Sequence, residues 1–235
     1  MRLFIHIVCL LGILSAPCQL MAQDAAADLQ KVNDYVNKSK ILSLELEYRV
    51  FASWESTKPV EVSLSTIKKR GDESYLSLSH LEMLQATNYS VAVNTQSKSM
   101  QIASKQKSET PVQKDMDYKA LLASCKSVIY KRVSDEKATY TLNAEVGYKK
   151  TIIAFHPKTF RPISAEVHYL GTMKDDGTMD ESQNKKMIIL YNRVDRQPLF
   201  GKSDFDYSKF FTVVGQKYLP TANYKGYTIN GKLIN

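Results

Sequence analysis

Cysteine is nearly missing from this 235-residue chain: only Cys9, Cys18 and Cys125 occur. Recognisable reaction motifs are missing altogether. There is no GxSxG elbow, no phosphate-binding loop and no dinucleotide fingerprint. The histidines beyond residue 22 are His80, His156 and His168, and none stands in an HExxH or similar metal spacing. His156 and His168 are expected at the surface. Asp175-Asp176-Gly177 lacks the later ligands of a calcium loop and reads as a turn. No catalytic residue, metal site or cofactor is therefore expected. Nucleic-acid motifs are absent too, as are internal repeats and low-complexity linkers.

What is present begins with an export pattern. Arg2 gives a positive start, Leu3 to Ala16 is apolar, and the chain turns polar through Pro17, Cys18 and Gln19. Small Ala22 precedes Gln23 at a plausible cut. This is the pattern of a cleaved secretory signal peptide, too short and wrongly flanked for a spanning helix. Lipidation at Cys18 is the lesser reading, because Pro17 and Ser15 replace the small residue and the leucine that a lipoprotein signal prefers. Residues 1–22 are thus expected as a signal peptide. Residues 23–235 are expected as a single domain, with an irregular aromatic and Lys-rich segment from about 196. Loss of 1–22 leaves 213 of 235 residues, enough to bury a core without disulfides. It also leaves Cys125 as the sole cysteine, so no intrachain disulfide forms, and Cys125 is expected as a small buried hydrophobe. Losing Arg2 lowers the formal charge from +8 to +7. Scattered lysines of this kind form a solvated face and favour anionic surfaces such as lipid head groups.

The chain then alternates on a period of two. Ala25, Leu29, Val32 and Val36 first mark one stripe of a helix, with Asp24 and Asp28 at its N-terminal end. In Ile41 to Phe51, Leu42, Leu44, Leu46, Tyr48 and Val50 share one face, and Ser43, Glu45, Glu47 and Arg49 share the other. Further strands are expected over 60–70, 74–79, 88–94, 98–104, 127–133, 138–144 and 185–191. A hairpin is expected over 149–170, turning at the His156 to Pro162 segment. Tyr118, Leu121, Leu122 and Cys125 mark a short second helix, capped by Asp115 or Asp117. Ten strands and two helices in this order exclude a doubly wound fold. They predict a mainly β, α+β chain: a large antiparallel sheet, curled into an unclosed half-barrel with helices covering its concave face.

The order of these segments resembles the LolA-like superfamily of outer-membrane lipoprotein carriers. DLQKVNDYVNKSKILSLELEYRV resembles that family's opening helix and first strand. IKKRGDESYLSL resembles its strand–Lys-Arg–strand step, YSVAVNTQSKSMQIAS its next hairpin, and TIIAFHPKTFRPISAEVHY its late hairpin. The resemblance implies a non-catalytic periplasmic protein that holds an acyl chain or another apolar group in the cavity of an open β-barrel. It implies a lipid or lipidated protein as partner, with peripheral membrane contact. Leu44, Leu46, Tyr48, Tyr89, Val91, Val167 and Tyr169 are then the candidate cavity wall. Arg70 matches the arginine that helps hold the family's lid. Gly71 departs from the family, which often has proline there. The second reading is an interaction module of a cell-envelope assembly, with a filled core and no ligand.

Overall fold

The computed structural model describes residues 17–104, 117–144, 148–171, 184–215 and 217–231. The first helix, α1, spans Pro17–Asn37. It begins earlier than the apolar stripe suggests, so Asp28 lies within it rather than at its first turn. Six strands follow: β1 Ile41–Phe51, β2 Glu61–Arg70, β3 Glu73–Leu78, β4 Leu81–Gln85, β5 Tyr89–Asn94 and β6 Ser99–Ser104. Helix α2 spans Tyr118–Ala123. Then come β7 Ser127–Arg132, β8 Ala138–Asn143, β9 Tyr148–Phe155, β10 Pro162–Tyr169 and β11 Lys185–Asp195. The last stretch holds three 3-10 turns, the short strands β12 Phe211–Val214 and β13 Lys217–Pro220, and β14 Thr228–Gly231.

Twelve strands hydrogen-bond in the order β14-β6-β5-β4-β3-β2-β1-β11-β10-β9-β8-β7. The end strands β14 and β7 are not partners of one another, so the sheet is open, in the class of an unclosed half-barrel. Antiparallel pairs dominate, and β14 runs parallel to β6. Strands β12 and β13 form a separate two-stranded ribbon. Strand β4 was not expected. It follows β3 through a tight reversal at Ser79, whose φ is +49°.

The chain divides into two compact units. The first comprises residues 1–37, 52–56 and 116–187; the second comprises 38–51, 57–115 and 188–235. In the first unit α1 covers one face of the sheet. Ala25, Leu29 and Val32 pack with Ala138, Tyr140, Leu142 and Phe155, all buried. The spacing of four and three lets a helix stripe meet a strand face that alternates. Tyr140 donates its hydroxyl to Asp28 at 3.0 Å, so the phenol tip on this buried face is satisfied. Tyr118, Leu121 and Leu122 of α2, with Cys125 just beyond its end, pack against the same cluster. Asp117 caps α2, accepting from the N–H groups of Lys119 and Ala120 at 3.0 Å each.

In the second unit the residues of β1 behave as their alternation dictates. Leu42, Leu44 and Leu46 are buried, and the side chain of Glu45 is 52% exposed. Glu47 is more covered, but Arg49 pairs with it at 2.5 Å. Gly71 closes the β2–β3 turn at φ +59°. Proline is locked near −65°, so the family's frequent residue cannot stand in this turn.

Candidate functional site

The registers of the second unit fix which side chains share a face, because directly opposed residues of an antiparallel ladder point the same way. Lys68 opposes Tyr75, Tyr75 opposes Leu84, Leu84 opposes Val91, and Val91 opposes Ile102. This face is apolar from β3 to β6, and Leu84, Val91, Val93, Met100 and Ile102 are buried on it. Among the described residues, none from an α-helix belongs to its buried cluster. Its cover is the irregular segment after β11: Phe205, Phe210 and Phe211 lie on this face with 3%, 0% and 0% exposure. Tyr89 is central to the contact, with ring centroids 4.7 Å from Tyr207 and 5.7 Å from Phe211. Tyr207 stacks on Phe211 at 5.1 Å, and Phe211 meets Tyr218 edge-on at 5.0 Å. Tilted and edge-on aromatic contacts of this kind add to simple burial.

A polar rim fastens the same segment. Lys68 donates to Asp204 at 2.7 Å, and this hydrogen bond holds the Asp204 carboxyl below its usual range. Arg70 lies 4.6 Å over the Phe205 ring and pairs with Glu73 at 2.9 Å. Glu82 accepts from the hydroxyls of Tyr75 at 2.8 Å and Tyr224 at 3.0 Å. Burial, then the hydrogen bond to Glu82 and its charge, push the Tyr75 phenol up to about 12. The same causes push Tyr224 up. Lys209 sits 3.6 Å from the Tyr75 ring centroid, and burial lowers its ammonium pKa. Cations over aromatic faces are drawn by the ring quadrupole.

The expected cavity residues divide among these surfaces and do not line one wall. Tyr89 and Val91 lie on the aromatic-covered face. Leu44 opposes Ile67, which opposes Leu76, which opposes Met83, so Leu44, Leu46 and Tyr48 lie on the other face of the same strands. Tyr48 and Tyr191 are neighbours there, and burial raises both phenols. Val167 and Tyr169 belong to the first unit. Val167 opposes Thr151, which opposes Leu142, so it shares the face that α1 covers. Tyr169 is 39% exposed beyond a register shift at His168. Arg70 touches Phe205, the last residue of the 3-10 turn Lys202–Phe205. The aromatic segment itself was missed as an ordered element, since its phenylalanines follow neither helical nor strand periodicity.

His168 also departs from expectation. It is 7% exposed, with Nε2 2.5 Å from Glu166 and its ring 6.1 Å from that of Trp54. Trp54 comes from the loop after β1, donates to the Tyr169 carbonyl at 2.9 Å and carries Lys149 4.4 Å over its ring. His156 is tied into its own turn, where Nδ1 accepts from the N–H groups of Lys158 and Thr159. Among the described residues no group of three His, Cys, Asp or Glu side chains could hold a metal. The triplet 175–177 lies outside the described residues. A mainly polar surface groove of about 650 Å³ is lined by Arg193, Val194, Asp195, Arg196 and Gln197.

No protein-family model matches the chain, and no curated protein matches it. Solved structures that it resembles include a LolA superfamily protein from Nitrosomonas europaea, at 13% identity and TM-score 0.32 over 77% of this chain and 97% of that one. A domain assigned to outer-membrane lipoprotein sorting from Vibrio parahaemolyticus aligns at 11% identity and TM-score 0.32, over 80% and 98%. The lipoprotein LppX of Mycobacterium tuberculosis aligns at 8% identity and TM-score 0.36, over 74% and 96%. Likenesses this loose decide neither ligand nor activity.

Proposed function

We propose that this chain is a non-catalytic, exported binding protein of the LolA-like kind. Its apolar ligand, an acyl chain or similar group, is held on the β3–β6 face that Phe205, Phe210 and Phe211 now occupy. The observation that carries this reading is the cover itself. Three phenylalanines are wholly desolvated on a sheet face by a segment of 3-10 turns and short strands, fastened at its edge by Lys68, Arg70 and Glu82. A bound apolar group would make the same kind of contact, and displacing the segment would free the face for it. The rival reading, an envelope interaction module with a filled core, is supported by how completely the face is filled.

The test is binding of a fluorescent fatty-acid analogue, together with native mass spectrometry of protein purified from its own envelope. Uptake by the parent that strengthens in Phe211→Ala, or co-purified lipid, is expected. Absence of lipid, with no analogue binding by parent or variant, leaves the filled-core module instead.

Export belongs to the same proposal. Ala25, Leu29 and Val32, which pack on the sheet, all lie beyond Ala22, so a cut there retains them. Sequencing of the exported product should start at Gln23. A start at Cys18 with added lipid mass would make the protein membrane-anchored.

A further inference from the structure

The β12–β13 ribbon is a second surface, distinct from the covered face. Val214 opposes Lys217 across it, and the strands are joined by two residues, Gly215 at φ +59° and residue 216. Left-handed backbone at that point suits the tight turns that join twisted strands, and glycine adopts it freely. The two faces of the ribbon have different fates. Phe211 and Tyr218 point one way, into the aromatic cluster, so the base of the ribbon is fixed. Thr221 ties the base further, donating its N–H to the Phe210 carbonyl at 3.0 Å and its hydroxyl to the Lys209 carbonyl at 2.8 Å.

The other face carries Thr212, Val214, Lys217 and Leu219, all exposed. Val214, beside the turn, is 58% exposed and Leu219 is 44% exposed, whereas Val213 opposes Tyr218 and belongs to the face turned towards the cluster. Two aliphatic side chains in water on one face of a hairpin whose base is fixed form a small patch that suits an apolar phase. Charge identifies which one. From Tyr207 to residue 235 the sequence has no aspartate or glutamate, while Lys209, Lys217, Lys225 and Lys232 all fall there. Lys209 is engaged at the rim, but Lys217 and Lys225 are exposed. Aliphatic tips beside unopposed ammonium groups match the boundary between acyl chains and anionic head groups, where lysine stems reach the phosphates while the aliphatic tips enter the hydrocarbon.

We infer that the β12–β13 ribbon docks this protein on anionic bilayer surfaces, with Val214 and Leu219 entering the interface and Lys217 pairing with lipid phosphates. Docking of this kind needs no ligand on the β3–β6 face, so it stands or falls apart from the carrier reading.

The test is flotation of the full chain with two kinds of vesicle: phosphatidylcholine alone, and phosphatidylcholine with about one-third phosphatidylglycerol. The parent should float with the anionic vesicles, weaken as salt is raised, and stay behind with the neutral ones. The double variant Val214→Ser/Leu219→Ser should lose about tenfold in partitioning, in line with the aliphatic area withdrawn from the interface. Lys217→Glu replaces an exposed side chain, keeps the fold, and should lose several-fold while its remaining binding becomes less salt-sensitive. Binding by both variants equal to the parent's, or equal flotation on neutral vesicles, overturns the inference. So does a parent that ignores vesicles and forms concentration-dependent dimers that Val214→Ser/Leu219→Ser abolishes, since the patch would then face a second copy.

Discussion

The two units cover a sheet face by opposite means. In the first, α1 lays Ala25, Leu29 and Val32 onto Tyr140, Leu142 and Phe155, with small aliphatic groups meeting large rings. In the second, the cover is Phe205, Phe210 and Phe211 from a stretch without a regular helix, and rings meet aliphatic groups on the sheet. A helix satisfies its own backbone and presents side chains at fixed spacing, so its cover is cheap to specify. The aromatic segment must find partners for its backbone turn by turn. It therefore depends on polar clasps at its edge, such as Lys68–Asp204 and the two tyrosines on Glu82. A cover built that way opens by breaking a few side-chain bonds, whereas lifting α1 would mean losing its whole stripe at once.

That contrast breaks most directly at the covers' centres. Phe211→Ala should destabilise the second unit by about 3–5 kcal/mol, the cost of emptying a buried aromatic site. Leu29→Ala should cost about 2–5 kcal/mol in the first unit. Trp54, the only tryptophan, lies in the first unit and reports on it, while near-ultraviolet tyrosine signals are weighted toward the second. Urea unfolding followed by both signals should show Phe211→Ala moving the tyrosine transition more than the tryptophan one. Equal shifts of both signals in both variants would mean that the covers are not independent.

A smaller effect sharpens the comparison at the rim. The Tyr75 phenol is raised above its unfolded value of about 10, so its contribution to stability is intact below that pH. It is lost as pH rises toward about 12, the folded value. Tyr224 shifts in the same direction. Urea midpoints measured in steps across that alkaline window should fall for the parent and fall less for Tyr75→Phe/Tyr224→Phe. Parallel curves for the two proteins would show that the Glu82 clasp does not carry the alkaline loss.

How far residues alone reveal this arrangement depends on the element. The stripe of α1 and the alternation of β1 are local periods, so the buried sets Ala25, Leu29, Val32 and Leu42, Leu44, Leu46 were legible. Strand β4 was not, because five residues between a two-residue reversal and another short turn leave too little pattern to read. The grouping of the candidate site residues was not legible for a different reason. Whether Leu44 and Val91 share a face depends on four successive registers, and each register is a pairing between strands that no single strand encodes. The phenylalanines after β11 were visible as an aromatic-rich patch, but their burial comes from partners more than a hundred residues earlier, at Leu84 to Ile102.

The parallel pairing of β14 with β6 sets an order of events in folding. Thr228 lies against Ser99, so this edge contact closes a far longer loop than any of the hairpins from β2 to β6. Loops of that length close after short ones, because their entropy must be spent before any contact returns it. The hairpins from β2 to β6 are therefore expected to gain hydrogen-exchange protection before the β6 edge does, with Thr228 to Gly231 the last to close on it.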